Sequence, residues 1–258
     1  CHGHASAQTV QAAIQNSCNA YFCHLFKLYI EQDTYDNVAE GLSSWQSYLN
    51  QFGLGVDLHH DLASKARKGF VPGPQLYDRM YNGKPWRASM IISLGIGQGE
   101  LGVTPLQLAH MTAIIANKGY YYYPHVVRPF RESSNALYTT RHKVNIESRH
   151  FTPVIEGMYQ VVEAGTGRRS RIDGIEMCGK TGTAENPHGK DHSLFIAFAP
   201  KDKPTIAVAV MIENGGYGST YAAPIASLVI EKYINREIKG KAREGIEKKI
   251  LEANLINN

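Results

Sequence analysis

At 258 residues, with 43% hydrophobic and 19% charged side chains, the chain has a globular composition and enough apolar residues for a sizeable core, in one large or two small domains. A net charge of +4, with basic residues scattered except at the C-terminal end, argues against a nucleic-acid partner, which needs a concentrated basic face. No apolar run approaches the ~18 residues that span a bilayer, and Cys1-His2-Gly3-His4 lacks the basic and apolar regions of a signal peptide.

The first apolar residues at helical spacing are Val10, Ala13, Ile14, Tyr21, Phe22, Leu25 and Leu28. Asn16-Ser17-Cys18-Asn19 interrupts them, and such residues favour helix ends over helix interiors. The pattern predicts two helices, over about 8–15 and 19–31, joined by a tight junction that presents Ser17 and Asn19. Taken alone, both residues read as helix caps. A third helix over about 36–51 buries Val38, Leu42, Trp45 and Leu49 and closes at Gly53. Residues 53–88, with Pro72, Pro74 and Pro85, read as an irregular segment of functional length.

Ser93-Leu94-Gly95-Ile96-Gly97-Gln98-Gly99 is a glycine-rich turn, without the strand–helix unit and downstream acid of a dinucleotide site. Thr104-Pro105 starts a helix that runs through Leu108, Met111 and Ile115 to Gly119. Tyr120-Tyr121-Tyr122-Tyr123-Pro124 predicts a strand at a sheet edge, with alternation burying half of the tyrosines. Residues 128–150 read as a polar loop or hairpin. Thr152-Pro153 repeats the helix-start device, and Ile155, Met158, Tyr159 and Val162 supply the buried face. Strands follow at about 175–185, 192–199 and 205–213, then a helix over about 219–235 and a charged tail with Ile246, Ile250 and Leu255 on one stripe. The cysteines at 1, 18, 23 and 178 show no Cys-x-x-Cys spacing and read as small thiols. Cys1-His2-Gly3-His4 has no downstream partner at ligand spacing, so no metal site is assigned.

The chemistry concentrates in Gly179-Lys180-Thr181-Gly182-Thr183-Ala184-Glu185, which offers an ammonium and two hydroxyls that share a strand face. Two chemistries compete for it. Gly174 to Thr181 fits the phosphate-loop pattern Gly-x4-Gly-Lys-Thr, which would make the chain a nucleotide binder. That mechanism needs a helix directly after the lysine, whereas Gly182, Asn186, Pro187 and Gly189 break one. The alternative is a lysine on an exposed strand beside Ser17 and Asn19. That set suits acyl transfer, which needs a proton carrier, a positive field and hydrogen bonds for an oxyanion.

Ser17-Cys18-Asn19 and Lys180-Thr181-Gly182 resemble the second and third motifs of the penicillin-binding proteins, serine acyl-transferases that include the D,D-transpeptidases of cell-wall synthesis. The likeness extends in order through Gly97-Gln98-Gly99, Val103 to Ala109, Asn117-Lys118-Gly119, Pro124-His125, Gly165-Thr166-Gly167, Phe195 to Pro200 and Ala222-Ala223-Pro224. It covers residues 3–235 and is strongest to monofunctional class B, elongation-type members. The family's first motif, Ser-x-x-Lys, is absent: no serine here has a lysine three residues later. The chain therefore reads as the C-terminal part of a transpeptidase domain, cut between the first and second motifs and inactive alone. A noncatalytic binding module of the same fold remains a further alternative.

The resemblance implies an α/β penicilloyl serine transferase fold, incomplete at the N-terminus, with an antiparallel sheet from strands near 121–126, 175–185, 192–199 and 205–213, flanked by helices. Residues 1–120 would form a mostly helical lobe, 121–238 the sheet-containing part, and 239–258 a charged helix or tail. It assigns Ser17 to proton relay, Asn19 to the substrate amide carbonyl, and Lys180 to the positive field. Thr181 and Thr183 would take a carboxylate, Thr183 N–H would form half of the oxyanion hole, and Gly182 would admit the substrate backbone. It implies no metal or organic cofactor. The implied ligands are stem peptides ending in D-Ala-D-Ala and β-lactams, and the implied partners are cell-wall elongation proteins. The place of action would be the periplasmic face of the bacterial cytoplasmic membrane, reached through an anchor upstream.

Overall fold

The structure is a computed structural model that describes residues 3–61, 67–127 and 136–255. Cys1 and His2 of the histidine-containing start, and 128–135 of the polar loop, lie outside the described residues. Thr9 opens α1 (Val10–Gln15) by accepting a hydrogen bond from the Ala12 amide at 3.3 Å. The polar junction leads into α2 (Asn19–Ile30). Asn37 caps α3 (Val38–Gln51) by accepting from the Glu40 amide at 3.1 Å, and Gly53 turns left-handed just after it.

The proline-containing stretch expected to be irregular in fact carries α4 (Pro74–Met80) and a short 3-10 turn, Ala88–Met90. A second 3-10 turn, Ile92–Ile96, forms the start of the glycine run. These pieces are too short to show a period, and Pro74 sits at the helix start, where its missing amide costs nothing. α5 (Pro105–Ala116) opens with a reciprocal cap: Thr104 Oγ1 accepts from the Gln107 amide at 3.2 Å and Gln107 Oε1 accepts from the Thr104 amide at 3.1 Å. Next come β1 (Tyr120–Tyr121), α6 (Ala136–Thr139), β2 (His142–Lys143) and α7 (Phe151–Glu163). α7 starts one residue ahead of Thr152-Pro153, which sit inside its first turn. β3 (Cys178–Ala184), β4 (His192–Ala199), β5 (Ile206–Ile212), α8 (Ala222–Asn235) and α9 (Lys241–Leu251) complete the order.

These elements form two compact units. Among the described residues, one is drawn from 18–114 and 119–146, the other from 3–17, 115–118 and 147–255. The first is mostly helical, with Phe26, Ile30, Leu42, Tyr77, Ile91 and Leu94 in its core and Trp45 packed edge-on against Phe26. Buried Gln107 also binds the surrounding loops, donating from Nε2 to the carbonyls of Gly53 at 2.9 Å and Lys68 at 2.7 Å. The tyrosine run does not join the main sheet, contrary to the expectation from sequence. Among the described residues β1 pairs only with β2, two residues against two. Tyr121 and Tyr123 pack on His142, while Tyr122 stays exposed.

The second unit holds an antiparallel sheet in the order β3-β4-β5. Its register pairs Lys180 with Ile196, Thr181 with Phe195 and Gly182 with Leu194. Along β4, Ser193, Phe195, Ala197 and Ala199 are buried in alternation, and the last three share a core with Ala222, Ala223, Ala226 and Ile230 of α8. Each buried large side chain there stabilises the fold by roughly 1.5–3 kcal/mol. α7 packs on β3, and α1 packs on α7 at Gly157, where an added Cβ would lie 2.9 Å from Ile14 Cβ. β3 is an edge strand among the described residues.

Candidate active site

The candidate site begins where α1 ends. Asn16 is the C-terminal cap, and Ser17 follows in the left-handed region at φ +52°. That backbone state favours glycine, so a serine here is held against a local cost of about 1 kcal/mol. The turn aims Ser17 Oγ at β3, where the Lys180 ammonium donates to it. A second hydrogen bond from Lys180 Nζ reaches the Thr181 carbonyl at 2.8 Å. Lys180 is partly covered along its stem, and burial of its ammonium lowers the pKa to about 8. The group is therefore charged near neutrality yet close enough to its pKa to exchange a proton, as acid–base work requires.

Lys180 and Thr181 lie inside a strand, not at a helix N-terminus. The phosphate-loop reading fails on that geometry, because β3 runs on past the lysine to Ala184 where a helix would have to begin. Residues 2–231 match the family profile described as "Penicillin binding protein transpeptidase domain".

The chain belongs to the penicillin-binding protein transpeptidase family.

It is 34% identical to the peptidoglycan D,D-transpeptidase MrdA of Acinetobacter baumannii, an alignment covering 93% of this chain and 36% of that protein. Among solved structures it resembles Pseudomonas aeruginosa PBP2 in complex with WCK 5153, with a TM-score of 0.74 and 32% identity over 88% of this chain and 49% of the other. It also resembles the imipenem acyl-enzyme complex of penicillin-binding protein A from Mycobacterium tuberculosis, with a TM-score of 0.68 and 28% identity over 90% of this chain and 48% of the other. The chain thus spans about a third of the curated relative's length.

In this transpeptidase domain the expected site residues fall into two groups. Ser17, Lys180, Thr181, Gly182 and Thr183 belong to the sheet-bearing unit, and the first three are joined by the hydrogen bonds described above. Asn19, two residues beyond Ser17, is the exposed first residue of α2 and belongs to the helical unit. Cys18 is buried between them in sequence, consistent with a packing thiol. Among the described residues, no three His, Cys, Asp or Glu side chains gather as a metal site.

Two neighbours of the site escaped the sequence reading. Thr166 Oγ1 lies 2.7 Å from Thr181 Oγ1 and 3.4 Å from Ser17 Oγ. Its signal was the Gly165-Thr166-Gly167 run, which entered the sequence reading as part of the family likeness with no role assigned to Thr166. Gly218 donates its amide to Thr183 Oγ1 at 3.4 Å, and a Cβ there would strike the carbonyls of Gly182 and Leu194. Gly182 is itself tight, since an added Cβ would meet Leu194 Cβ at 3.2 Å. Only a bare backbone at 218 lets the loop after β5 lie this close to β3.

Proposed function

We propose that the chain is the C-terminal part of a peptidoglycan D,D-transpeptidase, which cross-links stem peptides ending in D-Ala-D-Ala by serine acyl transfer and is acylated by β-lactams. The observation that carries this reading is the Lys180–Ser17 hydrogen bond, made by residues far apart in sequence. In the complete domain a serine of the Ser-x-x-Lys motif attacks the substrate carbonyl. Ser17 passes the proton to the leaving D-alanine nitrogen, and Lys180 holds the field positive. Asn19 binds the substrate amide carbonyl. Thr181 and Thr183 take the terminal carboxylate, and Gly182 admits the extended substrate backbone along β3. The Thr183 amide supplies half of the oxyanion hole.

The site acts on the periplasmic face of the cytoplasmic membrane, with an upstream anchor and cell-wall elongation proteins as partners. Among the described residues no helix is long and apolar enough to cross a membrane. The division into a mostly helical lobe, a sheet-bearing part and a charged C-terminal segment is part of this reading.

Fluorescent penicillin, read on a denaturing gel, tests it. The full-length protein is expected to label, with Ser17→Ala and Lys180→Met slower by about 10²–10³. The 258-residue chain alone is expected to stay unlabelled, because none of its serines sits in Ser-x-x-Lys. Acylation of the full-length protein should fall above about pH 8 as Lys180 loses its proton. Lys180→Arg, charged at all working pH values, should remove that alkaline limb from whatever rate remains. Full-strength labelling of Ser17→Ala would overturn the reading.

A further inference from the structure

Thr166 has no role in the reaction as set out above, yet its hydroxyl stands between two groups that do. It is 2.7 Å from the Thr181 hydroxyl and 3.4 Å from the Ser17 hydroxyl. Its place is fixed from both sides. A Cβ on Gly165 would lie 2.5 Å from the Gln15 carbonyl oxygen, and one on Gly167 would lie 3.0 Å from Val161 Cγ1 and 3.3 Å from Phe195 Cε2. The Gly167 carbonyl accepts from both the Ser170 amide at 2.9 Å and the Ser170 hydroxyl at 2.6 Å. A turn packed this closely holds the Thr166 backbone beside β3, with its hydroxyl against that of Thr181.

The direction of the hydrogen bonds follows from Lys180. As an ammonium it can only donate, so Ser17 Oγ is an acceptor there and keeps its own hydrogen to give. Thr166 Oγ1 is the neighbouring hydroxyl acceptor in reach, although at 3.4 Å the contact is long. Thr166 then donates to Thr181 Oγ1, which leaves the Thr181 hydrogen free to point at a carboxylate. Before a substrate takes the Ser17 hydrogen, this arrangement lets each hydroxyl accept once and donate once, in a run from Lys180 through Ser17 and Thr166 to Thr181. Such runs polarise cooperatively.

We infer that Thr166 is a positioning residue that orients the Thr181 hydroxyl toward the carboxylate of the acyl donor and ties that contact to the relay hydroxyl of Ser17. The inference rests on the proposed transpeptidase function, and it makes the carboxylate a requirement for fast acylation as well as for binding.

The test compares a penicillin bearing a free carboxylate with its methyl ester as acylating agents of the full-length protein. Thr166→Val is expected to slow acylation by the free acid at least about tenfold while changing the ester by less than about threefold. Thr166→Ser, which keeps the hydroxyl, should stay within about threefold of wild type on both. Where valine overfills the turn, judged by a lowered thermal midpoint, Thr166→Ala supplies the same comparison. A double cycle with Thr181→Val should show the two losses to be strongly non-additive. Equal slowing of acid and ester would reduce Thr166 to a structural turn residue, and an unchanged acid rate would remove its role altogether. In either case a slow Ser17→Ala control leaves the proposed function standing. If wild type is not acylated at all, that function and this inference fall together.

Discussion

Ser17 shows how a single residue can be selected against its backbone preference. The position after α1 is left-handed and suits glycine, while the hydroxyl is what Lys180 binds. Removing the hydroxyl loses a charge-assisted hydrogen bond of about 1.5–3 kcal/mol. Glycine alone recovers the backbone cost, by about 1 kcal/mol. Chemical denaturation should therefore find Ser17→Gly more stable than Ser17→Ala by about 1 kcal/mol, with both slow to acylate. Equal stabilities would show that the left-handed turn carries no cost. His110 offers a second test at this scale. It is buried among apolar and aromatic neighbours, and burial lowers its pKa to about 4. The unfolded chain binds that proton near pH 6.5, so the stability present above pH 6.5 is lost as pH falls toward 4. The loss should reach at most about 3 kcal/mol and be smaller in His110→Phe, as measured by urea denaturation across that range.

Among the elements, β3 depends on the loop that follows β5. Gly218 lies against the Gly182–Leu194 pair, and a side chain there has nowhere to go. Gly218→Val is expected to cost about 1–3 kcal/mol by overpacking. Because the loop also touches the Thr183 hydroxyl, the same change should slow acylation of the full-length protein. An unaltered melting temperature and rate would show that the loop is free to lift. The strands themselves were legible in the sequence, because Leu194 to Ala199 and Ile206 to Ile212 are short apolar runs of strand length. The short elements were not. α4 hides behind a proline that marks its start, and β1 stops after two residues for want of a longer partner. Gly218 and Thr166 were illegible for another reason: their meaning lies in contacts with β3, 35 and 15 residues away, which no local pattern encodes.

Taken whole, the chain interleaves its two units. The opening residues, with α1 and Ser17, belong with the sheet, and the helical unit is inserted between them and most of the sheet-bearing part. The candidate site was legible to the extent that its motifs carry recognisable residue types, Ser-x-Asn and Lys-Thr-Gly-Thr. That α1 joins the distant α7 emerged only from packing, with Gly157 accepting Ile14 and Gly165 accepting the Gln15 carbonyl. The 163-position separation of Ser17 and Lys180 also sets a schedule for the newborn chain. At synthesis rates of about 5–20 residues per second, the serine leaves the ribosome roughly 8–30 s before its lysine does. For most of that interval α7, on which α1 docks, has not been made, so the nascent segment must be shielded or idle until it arrives.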